Sequence, residues 1–180
     1  MKRVLQIANG FFLIITVVIN YLSNTGIFNG NTMASVSARY QNLFTPAGYA
    51  FSIWGLIYLG IFIFIIYQGQ NLFKKNENDQ IVIKTGWWFV LSCIANCSWV
   101  LAWLYEYTGL SVLIMLLLLV CLLRILINAN KMRQTTSVKA FAIWPFSIYA
   151  GWICVALVAN IAALLTKLEW DGFEIGRAHV

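Results

Sequence analysis

Three sets of side chains hold the chemistry this 180-residue chain can offer. Phe51, Trp54 and Tyr58 are spaced by three and four residues, as are Asn96, Trp99 and Trp103. Tyr149, Trp152, Ala156 and Asn160 follow at three, four and four. On a helix, such spacings place the members of each set on one side. Aromatic faces stack on flat apolar molecules, and a few amides or hydroxyls orient them. Tyr49, Asn96, Tyr149 and Asn160 are the candidate polar contacts; Phe51, Trp54, Tyr58, Trp99, Trp103 and Trp152 are the candidate walls. No paired carboxylate, histidine or base-assisted nucleophile stands among them, so an enzyme is not expected.

Metal chemistry is equally poorly provided for. The single histidine is His179, and Cys93, Cys97, Cys121 and Cys154 form no Cys-x-x-Cys pair. All four cysteines fall in apolar stretches, so neither a metal nor a disulfide is expected, and no cofactor is required. Cys93 and Cys97 share a helix face and read as small polarizable packing residues.

The elements that must position these groups are membrane helices. The chain is 61% hydrophobic and 10% charged, with a mean hydropathy of +0.79. Val4–Ala38, Tyr40–Phe73, Thr85–Tyr105, Tyr107–Leu123 and Ala140–Thr166 lack Asp, Glu, Lys and Arg altogether. A bilayer core about 30 Å thick takes roughly 20 apolar residues per helix. The expected fold is therefore all-α, a single polytopic bundle over residues 1–173 with helices at about 4–22, 46–67, 86–105, 110–128 and 141–166.

The net charge of +6 sets topology and does not point to nucleic acid. Lys2, Arg3, Lys74, Lys75, Lys84, Arg124, Lys131, Arg133 and Lys139 all fall on the cytoplasmic side if the N-terminus does. Only Arg39, Lys167 and Arg177 are then outside. The first window has a basic start but no small-x-small cleavage site, and reads as an uncleaved first helix of a cell-membrane protein.

Thr45 is placed to cap the second helix, with Pro46 at its first position. Ser23–Phe44 is a long polar connection of the kind that forms functional lids. Glu106–Gly109 is a tight turn joining antiparallel third and fourth helices, with Glu106 solvating it. The leucine-rich fourth helix carries no polar residue suited to a pocket. Pro145 either starts the fifth helix or kinks it. Trp87, Trp88, Tyr105, Tyr107, Trp144 and Trp170 read as interfacial anchors. Glu174–Val180 back-translates to GAG ATC GGA AGA GCA CAC GTC, close to a sequencing-library adaptor. Residues 174–180 are thus expected to be a non-native tail, with the native chain continuing past Phe173.

At about 1.5 Å per helical residue, Phe51 and Trp54 lie roughly 8 and 12 Å below the outer face, and Trp99 and Asn160 roughly 8–9 Å. The three faces converge in the outer half of the bilayer, beneath Ser23–Phe44.

At these faces the chain resembles the TspO/translocator protein family, the tryptophan-rich sensory proteins. Pro46, Tyr49-Ala50-Phe51 and Trp54-Gly55-Leu56-Ile57-Tyr58 match its second helix. Asn96-Cys97-Ser98-Trp99 with Trp103 matches its third, and Tyr149, Trp152, Ala156 and Asn160 its fifth. One residue fewer between Phe51 and Trp54, no proline in that gap, and Pro145 four residues before Tyr149 mark a divergent branch. Arg39 and Tyr40 stand for the basic and aromatic residues that the family carries before its second helix. The resemblance implies a five-helix bundle, a homodimer, and binding of porphyrins, related tetrapyrroles or sterols. The partners expected are thus the lipid bilayer and a hydrophobic small molecule. The leading reading is a receptor or sensor for a planar apolar ligand; the alternative is a transporter for a small neutral or amphipathic solute.

Overall fold

A computed structural model of the chain describes residues 2–70, 79–132 and 135–170. Among them there are helices and no strands, and five helical stretches are long and apolar enough to cross a membrane. The principal helices are α1 (Lys2–Leu22), α3 (Ile53–Gly69), α4 (Asp79–Leu104), α5 (Thr108–Asn130) and α7 (Trp144–Lys167). Two short ones, α2 (Met33–Arg39) and α6 (Thr136–Val138), lie in the connections. The long helices close a ring in the order α1, α4, α5, α7, α3, with α3 the most lightly held.

Each helix buries one stripe and leaves the rest apolar and outward, as a membrane demands. In α1 the buried stripe is Leu5, Asn9, Leu13 and Thr16, while Ile7, Phe11, Ile14 and Val18 face out. In α5, Ser111, Met115, Leu118, Leu122, Ile125 and Ala129 alternate four and three apart along the seam between α4 and α7. Polar groups tie α1 to α3: Gln6 Nε2 donates to the Gln68 carbonyl at 2.6 Å and Asn9 Nδ2 to Gln68 Oε1 at 3.0 Å. Away from water such bonds pair one polar atom of each amide, while Gln6 Oε1, Asn9 Oδ1 and Gln68 Nε2 stay buried without a partner.

At the other side of α3, Phe64 meets Phe146 and Phe89 at centroid separations of 4.9 and 5.8 Å. Nearby the backbones of α3 and α7 approach closely at Gly60, where a Cβ would stand 3.2 Å from Pro145 Cβ. Pro145 stands in the first turn of α7, directly after a π-helical turn at Lys139–Ile143. Proline has no N–H for the Phe141 carbonyl and crowds it, so the wider turn falls where the α-helical ladder is broken. α4 bends at Gly86, whose φ of 52° and ψ of −142° only glycine adopts readily.

Two boundaries differ from the sequence reading. The second spanning helix becomes α-helical at Ile53, not Pro46; Gly48–Ser52 is a 3₁₀ turn. Ala47, the residue after Pro46, is extended at φ −59° and ψ 146°, so the chain is not yet helical there. Thr45 therefore caps no helix; its hydroxyl accepts the Asn42 N–H at 2.8 Å. The third spanning helix starts earlier, at Asp79, and residue 86 is its bend rather than its beginning. The expected tail, 174–180, lies outside the described residues, as do Lys74, Lys75 and Arg133.

The long first connection also contains α2, which the sequence reading left without structure. Thr32 and Ser35 cap it reciprocally, each side chain on the other's backbone N–H at 3.1 and 2.8 Å. Met33 and Val36 face inward and seat it over the end of the bundle where α4 turns into α5.

Candidate functional site

Trp54 is the hub beneath α2. Its ring stacks on Tyr58 one turn along α3 (5.6 Å, 22°) and on Trp99 of α4 (6.4 Å, 28°). Trp99 stacks in turn on Trp103 (6.4 Å, 22°). Tyr58, Trp54, Trp99 and Trp103 thus form a column of four nearly parallel rings running from α3 into α4. From α7, Tyr149 and Trp152 meet Trp54 edge-on at 5.8 and 6.4 Å. Phe51 meets Trp152 edge-on at 6.4 Å. Such offset and edge-on contacts are favoured by the ring quadrupoles.

Beneath the column runs a polar chain through three helices. Asn20 Nδ2 of α1 donates to Asn96 Oδ1 at 2.7 Å, and Asn96 Nδ2 donates to the Tyr149 hydroxyl at 2.9 Å. Asn96 is fully buried, so this chain satisfies amides that would otherwise be costly. On the far side, the Ser111 hydroxyl lies 3.0 Å from Asn160 Oδ1 and 2.7 Å from the Thr108 carbonyl. No α5 residue lines the spaces described below, as the sequence reading expects, but Ser111 braces Asn160 from behind. Ser111 sits in the first turn, where its own helix leaves it a carbonyl partner.

The column borders two spaces. An inner cavity of about 50 Å³ lies between α3, α4 and α7 under α2, among Phe51, Trp54, Trp99, Trp103, Trp152 and Asn160. A larger groove of about 370 Å³ opens beside α1, among Val17, Asn20, Ser23, Asn24 and Tyr58. Met33, Phe51 and Trp54 line both and divide them. Neither space has a charged residue in its wall.

Of the ten residues singled out in the sequence, Phe51, Trp54, Trp99, Trp103, Trp152 and Asn160 line the inner cavity, and Tyr58 the groove. Asn96 and Tyr149 are bonded to each other under the column. Tyr49 is not brought in: it is 84% exposed and lines neither space. The 3₁₀ turn advances about 120° per residue, so with Phe51 turned inward Tyr49 faces elsewhere.

The sequence reading missed the lock on the lid. Glu106, in the turn between α4 and α5, pairs with Arg39 and accepts the Tyr40 hydroxyl at 2.6 Å. Asn31 Nδ2 donates to the Leu104 carbonyl at 2.8 Å, and Lys167 Nζ to the Glu106 carbonyl at 2.5 Å. Lys167 also lies over the Tyr40 ring, 5.9 Å from its centroid. Partial burial, and the Glu106 carboxylate to which it donates, push the Tyr40 hydroxyl above the usual tyrosine range. Glu106 has φ +59°, a left-handed conformation that costs a non-glycine residue about 1–2 kcal/mol. A usable signal was present, since Glu106 is the only acid between Asp79 and Glu169, and Arg39 the only cation between Arg3 and Lys74.

Comparison with curated proteins and with solved structures returned no match. The pattern of the TSPO-like protein family, in contrast, matches residues 6–180, nearly the whole chain and all five spanning helices. The chain belongs to the TSPO-like protein family.

Proposed function

We propose that this protein is a receptor or sensor of the cell membrane that binds a planar apolar ligand, a porphyrin or a sterol-like molecule, beneath α2. The observation that carries this reading is the column Tyr58–Trp54–Trp99–Trp103, four rings within 28° of parallel between neighbours. A flat ligand gains most where ring faces are already aligned, since ordering costs are lowest in a preformed site. With the N-terminus cytoplasmic, the site lies in the outer half of the bilayer. The inner cavity alone is too small for such a ligand, whose sites run to about 300–1,000 Å³, but the adjoining groove of about 370 Å³, which Phe51, Trp54 and Tyr58 also line, falls in that range.

No titratable pair lines either space, so binding rather than turnover is the activity proposed. The test is quenching of tryptophan fluorescence by protoporphyrin in nanodiscs. Saturable quenching in the wild type that weakens at least tenfold in Trp54→Ala supports the reading. Quenching that is linear, or the same in empty discs, refutes it.

A second reading is a transporter for a small neutral or amphipathic solute. It is favoured by the two spaces on either side of Trp54, which resemble successive stations on a route. Flux of such a solute into proteoliposomes, absent in protein-free vesicles, separates it from a receptor.

A further inference from the structure

Hydrogen-bond accounting around the column is lopsided. Trp99 Nε1, Trp152 Nε1 and the Tyr58 hydroxyl are buried with no partner. Asn160 is in the same position: one end of its amide meets Ser111, and its remaining polar atom is buried and unpartnered. An indole nitrogen can only donate, so the two tryptophans are unambiguous. A buried donor without an acceptor costs about 1–3 kcal/mol, and native proteins leave few of them. Here two indole donors belong to walls of one cavity, Trp99 from α4 stacked on Trp54 and Trp152 from α7 edge-on to it.

From this we infer that the ligand bears a neutral hydrogen-bond acceptor without a proton of its own, a ring ketone or similar carbonyl, for the indoles of Trp99 and Trp152. The inference rests on the planar-ligand reading and narrows it. A carbonyl oxygen has two lone pairs and no proton, so it satisfies such a donor without adding another. An alcohol could take them too, but would bring a proton into walls that already have donors to spare. A carboxylate is disfavoured as the group that meets the two indoles, because no cation lines the space and an unpaired buried charge is costly; a porphyrin's propionates have to lie outside the inner cavity. Arg39 and Lys167 are above, engaged with Glu106.

Three probes of one planar skeleton separate these cases: fluorene, with no polar atom; 9-fluorenone, with a carbonyl; and 9-fluorenol, with a hydroxyl. Each is titrated against tryptophan fluorescence in nanodiscs, corrected for partition into empty discs. The expected order is fluorenone tightest, about tenfold over fluorene, with fluorenol between; tenfold corresponds to about 1.4 kcal/mol, one satisfied donor. In Trp152→Phe and Trp99→Phe, which keep a ring and remove the N–H, the fluorenone-to-fluorene ratio falls toward one. Equal affinities for all three in the wild type overturn the acceptor while leaving a planar-ligand site standing. A fluorenone preference that survives the double Phe variant assigns the acceptor contact elsewhere and overturns the inference as stated. Failure of all three to bind removes both this inference and the reading beneath it.

Discussion

Replacing Glu106 by Gln keeps the side chain's size and removes its charge, which isolates what the lid lock contributes. The Arg39 side chain is 51% exposed and that of Glu106 22%, so the ion pair is well screened and is worth about 0.5 kcal/mol. The Tyr40 bond changes from a charged to a neutral acceptor in a half-buried setting, a loss of about 1 kcal/mol. The Lys167 contact goes to the Glu106 backbone and survives the substitution. Together the loss is about 1–2 kcal/mol of closure, a five- to thirtyfold rise in the open population of α2. Hydrogen exchange in nanodiscs reads this directly, because the Val36 and Tyr40 amides are bonded within α2 to the Thr32 and Val36 carbonyls. Exchange across residues 33–40 should rise by that factor, while the Tyr105 and Ser111 amides at the α4–α5 turn keep their wild-type rates. Glu106→Gly gives an independent control. It frees the left-handed residue of about 1 kcal/mol of strain, so the α4–α5 turn should hold as well or better while α2 loosens. Unchanged exchange in α2, or a rise spread equally over α4 and α5, would refute the assignment of Glu106 as the lock.

The same lock has a pH dependence, and the close approach of α3 to α7 sets a size limit. Tyr40 donates to Glu106 only as the neutral phenol, and its pKa is raised in the folded state. Its contribution is therefore complete below about pH 10, the ordinary tyrosine value, and is lost as pH rises through the higher folded-state value. The gap in thermal midpoint between wild type and Tyr40→Phe should be level from pH 7 to 9 and close at higher pH; a gap that grows above pH 10 would count against it. Gly60→Val should force α3 from the rigid ring of Pro145, since even one added carbon stands 3.2 Å from Pro145 Cβ. Overpacking of this kind costs about 1–3 kcal/mol, visible as a lower thermal midpoint in detergent, and no change would mean that the two backbones separate freely.

How much of the site was legible depended on whether the information was local. Spacings of three and four among Trp54, Tyr58, Trp99, Trp103 and Trp152 survive because helical period is fixed by backbone geometry and a membrane leaves the chain no other regular form. Tyr49 failed because it rested on the match to the family's aromatic-x-Phe rather than on a helical spacing, and the 3₁₀ turn that carries it faces it away from the side of Phe51. α2 was missed because seven residues are too few to show a period, although the Thr32–Ser35 cap was written in the sequence. Glu106 and Ser111 were missed for a different reason. Each acts across 49 to 67 residues of chain, on Arg39 and Tyr40 and on Asn160. No single-helix pattern can contain such pairings.

Those long-range bonds explain why the aromatic faces meet as they do. α3, which carries Trp54, is the most lightly held helix of the ring, and its firm anchors lie at Gly60, Phe64 and Gln68, away from the column. The partners of Trp54 are fixed instead, with Trp99 and Tyr149 on helices joined by the Asn20–Asn96–Tyr149 chain. Trp54 is therefore placed by its ring contacts to α4 and α7 rather than by the anchors of its own helix.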